Sequence, residues 1–137
     1  MANKSLFIDT GAYLSQFHKH DNHYPTALEV WQRLRGEDHL YVTTNHILDE
    51  LATLLGRRTN YEYAARKLEK IYESDVFIVR PDKQDEQQAL IFFRKYADHK
   101  ISFTNCLSFV VMRRLKIKQI FTFDKTHFDY ARFEVIP

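Results

Sequence analysis

Apolar positions in this chain form short solid runs, separated by longer stretches in which they recur at helical spacing. "SLFID", Ser5 to Asp9, is a short apolar run closing in an acid, the pattern of a buried strand. Leu14 and Phe17 follow at helical spacing. From about Pro25 to Arg35, Leu28, Trp31 and Leu34 fall on one stripe, and Pro25 suits a first turn. "LYVTT" reads as a second strand. A helix from about Asn45 to Arg57 follows it, capped by Thr43 or Thr44. Tyr61, Ala65, Leu68 and Tyr72 mark a fourth helix, and "VFIV" a third strand. Residues from about Lys83 to Ala97 form a fifth helix, with Ala89, Leu90, Phe93 and Tyr96 inward. A sixth runs from near Thr104 to near Leu115, capped by Ser102 or Thr104. "QIFTFD" is a fourth strand that again ends in an acid, and "FEVI" a fifth.

Alternation of strands and helices predicts an α/β fold: a central, mainly parallel sheet of four to five strands between two helical layers. In such sheets sites form at the carboxyl ends of the strands, where the winding direction reverses. Asp9 and Asp124 both occupy such ends. Each could serve as a helix cap. Yet a carboxylate closing an apolar strand is costly to bury unless it is paired, hydrogen-bonded or metal-bound. Glu50 falls beside Leu54, at the edge of the inward stripe made by Ile47, Leu48, Leu51, Leu54 and Leu55, while Asp49 points nearly opposite. A solvated boundary glutamate is the plainer alternative for Glu50. Asn105 falls in or near the first turn of the sixth helix, where outward N–H groups and the helix dipole favour an anion. Here an amide stands in that place, and capping is its ordinary role. Thr10, beside Asp9, could hold a metal-bound water or cap the helix.

Clustered carboxylates repel one another and persist where a cation neutralises them. Oxygen-only ligands select Mg²⁺ or Mn²⁺ over zinc, and with a phosphate as co-ligand such a site supports phosphodiester hydrolysis.

Composition narrows the alternatives. A chain of 137 residues suits one domain, spanning 1–137. A formal charge of +2 is too weak to argue nucleic-acid binding by itself. The single cysteine, Cys106, excludes an intramolecular disulfide and a thiolate zinc site. Three isolated glycines leave no phosphate-cradling loop, which argues against nucleotide cofactors. No apolar stretch approaches the roughly 20 residues of a membrane span, so a cytoplasmic protein without membrane partners is expected.

Four motifs then carry a resemblance. "FIDTGAYL", "TTNHILDEL", "ISFTNCLSFVVMRRLKI" and "FTFDKTHF", in this order, resemble the PIN-domain ribonucleases, especially the VapC-type toxins of toxin–antitoxin modules. The similarity covers nearly the whole chain. It implies metal-dependent endonucleolytic cleavage of RNA, with Mg²⁺ or Mn²⁺ at Asp9, Glu50 and Asp124. The family's acid after "SFT" falls at Asn105, which completes the pocket as a neutral donor. The resemblance makes Asp98 a supporting candidate, and Thr10 and Thr104 flank the presumed ligands. It also implies a cognate antitoxin protein that blocks the site, and a homodimer. The amide at 105 lowers the charge of the cluster and is expected to impair activity. Three explanations stand beside one another: a weak or altered nuclease, a silent PIN-like domain that binds RNA or a protein, and a deliberate acid-to-amide change protecting an expression host.

Lys125 and His127, next to Asp124, are candidates to touch substrate, with Arg57 and Arg58 further ones. "RRLKIK", Arg113 to Lys118, reads as dipole compensation and a solvated face before phosphate contact. His18, His20 and His23 read as surface loop residues. Tyr13 and Phe17 read as core before base-stacking residues. Cys106 reads as a small buried apolar residue. A receiver- or flavodoxin-like module would use the same sheet end, but a receiver clusters acids after its first strand, and "FIDTGAYL" offers one.

Overall fold

The structure, a computed structural model, describes residues 4–137. Five strands form one parallel sheet: β1 (Ser5–Ile8), β2 (Leu40–Thr44), β3 (Phe77–Val79), β4 (Gln119–Phe121) and β5 (Glu134–Ile136), in the order β3-β2-β1-β4-β5. The helices between them are α1 (Thr10–Phe17), α2 (Tyr24–Arg35), α3 (Asn45–Arg58), α4 (Tyr61–Glu73), α5 (Lys83–Lys95), α6 (Phe103–Arg114) and α7 (Lys125–Tyr130). A short 3₁₀ turn spans Ala97–His99.

β1 lies at the centre, covered on both faces, which is why its sequence is a solid apolar run rather than an alternating one. Successive side chains still point to opposite faces. Phe7 enters the apolar layer built with α5, α6 and α7, whereas Leu6 and Ile8 enter the layer built with α1 to α4. The α/β/α arrangement expected from the alternation of elements is the one observed.

Local chemistry sets the helix starts that matter. Thr44 caps α3, its hydroxyl accepting from the Ile47 amide at 3.2 Å. Thr43 instead donates its hydroxyl to the Ile8 carbonyl at 2.9 Å and so ties β2 to β1. Ser102 caps α6, accepting from the Asn105 amide at 3.1 Å.

Three apolar stripes differ from expectation. In α2 the inward set is Ala27, Val30, Trp31 and Leu34, and Leu28 is exposed. In α4 the inward residues are Ala64, Ile71 and half-buried Leu68, while Tyr61, Ala65 and Tyr72 face solvent. In α5, Ala89 is buried and Tyr96 just beyond the helix is too, but Leu90 and Phe93 are exposed. In each case the residue set has helical spacing, but one turn offset by a residue fits the covering layer better. Helix α7 was not anticipated. Its six residues carry a single fully buried side chain, Phe128, too little for a periodic signal. Among the described residues, no helix is long and apolar enough to cross a membrane.

Candidate active site at the carboxyl end of the sheet

Asp9 follows β1 and Asp124 follows β4, neighbouring strands of the sheet. Both occupy the capping position of a helix, α1 and α7, and neither side chain makes a cap hydrogen bond. The capping alternative therefore fails for both, and the carboxylates are directed elsewhere.

Asp9 is 6% exposed and accepts from the Thr122 hydroxyl at 2.6 Å. The same Thr122 oxygen accepts from the Asp124 amide at 2.9 Å, so one hydroxyl links the two strand ends. Asp124 Oδ2 accepts from the Asn105 side-chain amide at 2.9 Å and lies 3.0 Å from His127 Nδ1. Glu50, exposed on α3, accepts from the Thr10 hydroxyl at 2.5 Å. The carboxyl of Asp9 is pushed up to about 6. Burial is the main cause, opposed by the bonds from Thr122 and the Thr10 backbone, and reinforced by the charges of Asp124 and Glu50.

Asp9, Asn105 and Asp124 are thus joined through direct bonds and Thr122, and Glu50 approaches through Thr10. Among the described residues, no three His, Cys, Asp or Glu side chains form a group that could hold a metal ion in this arrangement. The fourth corner is the buried amide of Asn105, whose N–H already occupies one oxygen of Asp124. The donors are nonetheless all oxygens. Mg²⁺ keeps several waters and is commonly bound by one or two carboxylates plus a substrate phosphate, a demand that Asp9 and Asp124 can meet.

The family description "PIN domain" matches residues 6–133. The chain belongs to the PIN-domain family. A relative in Archaeoglobus fulgidus, named VapC ribonuclease, is 34% identical over 119 residues, 85% of this chain and 75% of that protein. The 23S rRNA-specific endonuclease VapC20 of Mycobacterium tuberculosis is 27% identical over 119 residues, 87% of this chain and 88% of its own. The crystal structure of that VapC20, described as a Sarcin-Ricin loop cleaving toxin, superposes with a TM-score of 0.84 at 26% identity, covering 93% of this chain and 95% of the other. A structure of VapBC2 from Rickettsia felis bound to a promoter DNA fragment matches with a TM-score of 0.68, covering 96% of this chain and 97% of the other. At 15% identity it shows the fold alone.

Within this PIN domain the remaining candidates separate. Thr10 lies beside the acids, and Thr104 is half-buried one residue before Asn105. Asp98 sits exposed in the 3₁₀ turn, without a hydrogen bond to the cluster. Lys125 is exposed at the first position of α7. Arg114 of "RRLKIK" clamps buried Asp85 with two bonds of 2.9 and 2.8 Å, and Arg113 donates to the Ala131 carbonyl, so both hold the fold. Arg58 faces Asp21 at 3.6 Å. Tyr13 stacks on Trp31 within the core, and burial pushes the Cys106 thiol up to about 11, away from reactivity.

Thr122 and the ring of His23 are the functional candidates that sequence reasoning missed. Thr122 left one signal: a polar residue inside "IFTFD", two positions before Asp124. His23 left none, because its partner, Phe123, lies 100 positions away in the chain and meets it only in the fold.

Proposed function

We propose that this PIN domain is a divalent-metal-dependent endoribonuclease of the VapC type, the toxin of a toxin–antitoxin pair, with its site impaired by Asn105. The observation that carries this is the buried, non-capping Asp9 carboxylate, held by Thr122 beside Asp124 and Glu50. Such an arrangement opposes folding unless a cation is accommodated. Relatives with VapC names support the activity.

Asp9, Glu50 and Asp124 would hold Mg²⁺ or Mn²⁺, with the Asn105 carbonyl as a neutral donor. The metal supplies a Lewis acid for the phosphate and a water of lowered pKa. Thr122 orients Asp9, Thr10 orients Glu50, and Lys125 and His127 face the RNA phosphate. Asn105 contributes no negative charge, and its N–H competes for the oxygen of Asp124 that a cation would use. RNA is the substrate, a cognate antitoxin protein covers the site, the protein pairs as a homodimer, and it works in the cytoplasm. The Asn105–Asp124 bond also favours a second reading, a silent PIN-like domain that binds RNA or a protein, since the amide satisfies the acid without metal.

Asn105→Asp separates these. The variant is expected to gain Mn²⁺-dependent cleavage of structured RNA and to arrest growth when expressed. Loss of both outcomes removes the ribonuclease reading, and full-rate cleavage by the Asn105 form removes the impairment.

A further inference from the structure

A file of aromatic rings leads from the core to the rim of this site. Trp31 packs against Phe121 with centroids 5.1 Å apart, and Phe121 meets Phe123 at 5.8 Å. Phe123 then lies nearly parallel to His23, with centroids 4.3 Å apart and planes 10° from coplanar. Trp31 and Phe121 are buried, Phe123 is half-buried and His23 is exposed. The inner face of the imidazole is therefore covered by Phe123, and its outer side is open to solvent.

The place of this pair is set by the site itself. Phe123 stands between Thr122, which binds Asp9, and Asp124. It also packs over the first turn of α1: a methyl group added at Gly11 would touch its ring at 3.9 Å. His23 is held from the other side. Asp21 accepts from the His23 amide at 2.8 Å and from the Ser15 hydroxyl at 3.0 Å, which fixes the turn that presents the ring at the start of α2. Two separate segments thus converge to display one flat ring, backed by core aromatics, on Phe123, which directly precedes Asp124 and packs over Gly11, two residues after Asp9.

We infer that the outer face of His23, backed by Phe123, is a stacking subsite for one unpaired nucleobase next to the scissile phosphate. This rests on the ribonuclease reading above. Bases stack on aromatic side chains with little dependence on sequence, and single-stranded RNA is gripped by such platforms beside its phosphate contacts. A ring already pinned by a second ring loses little freedom when a base arrives. The subsite selects for an unstacked base, so it favours loops and single strands over continuous duplex.

The test is equilibrium anisotropy with fluorescein-labelled RNA, single-stranded in one arm and fully paired in the other, with Ca²⁺ replacing Mg²⁺ so that the RNA stays intact. His23→Ala is expected to weaken single-strand binding about ten-fold, the size of one lost base stack, and to leave duplex binding unchanged. His23→Phe, which keeps the flat ring without the imidazole nitrogens, is expected to bind as the parent does. Thermal unfolding of both variants verifies that the fold is retained. Unchanged single-strand affinity in His23→Ala overturns the subsite, as does an equal loss on both RNAs or a failure of His23→Phe to rescue. A parent that binds neither RNA removes the ribonuclease reading and this inference together.

Discussion

Thr122→Val isolates the one hydroxyl that joins the two strand-end acids. The replacement keeps the shape and removes the oxygen, which donates to Asp9 at 2.6 Å and accepts from the Asp124 amide at 2.9 Å. A bond to a buried carboxylate is worth about 1.5–3 kcal/mol, and the orphaned amide, partly reached by water, adds about 1 kcal/mol. The expected loss at pH 8 is about 3 kcal/mol, or roughly 10 °C in Tm for a domain of this size. The loss depends on pH in a stated direction. The Thr122 bond favours ionised Asp9 and opposes the burial that raises its pKa to about 6. Removing the bond raises that pKa further, so the cost is largest where Asp9 is ionised in the parent, above about 6, and shrinks by about 1–2 kcal/mol at pH 5. Thermal unfolding in EDTA between pH 5 and 8 measures it, with Thr122→Ser, which keeps the hydroxyl, as control. A deficit equal at both ends of the range, or none at all, refutes the idea that Thr122 works through the Asp9 carboxylate.

Two further outcomes follow from the same charges. Because the folded-state pKa of Asp9 is raised, its contribution to stability is fully present below the unfolded value and is lost as pH rises through about 6. The metal-free protein should therefore lose up to ~3 kcal/mol between pH 4 and 7, and Asp9→Asn should flatten that part of the profile, as denaturant titrations at each pH would reveal. Arg114→Ala leaves the buried Asp85 carboxylate without its two-pronged partner and should cost about 2 kcal/mol, read from the urea midpoint. Burial raises the Asp85 pKa, but the Arg114 bonds and charge outweigh it and hold the group below its usual range. That contribution is present above the unfolded pKa and lost on acidification, so the parent and Arg114→Ala should converge at low pH, and a constant gap would refute the pairing.

Much of this protein is determined by local pattern. The central strand β1 stands in the chain as a solid apolar run because it is buried on both faces, and six of the helices, α1 to α6, announce themselves by spacing and caps. The positions of Asp9 and Asp124 at strand ends needed only the rule that an acid closing such a run sits at the carboxyl edge. Only the tertiary structure decided which acids meet. Asp9 and Thr122 are 113 positions apart, and Thr10 and Glu50 are 40 apart, so their bonds depend on the order β2-β1-β4 and on the packing of α1 against α3. It also decided which way each stripe faces: Leu28, Leu90 and Phe93 have helical spacing yet point outward, because spacing gives a face and only the neighbouring layer says whether that face is covered. Asp98 shows the same limit for charge, being close in sequence to Asn105 and remote from its bonds. Periodicity is a property of one segment, whereas a site is a property of several segments brought together, and that is why the elements were legible along the chain and the Thr122 and His23 contacts were not.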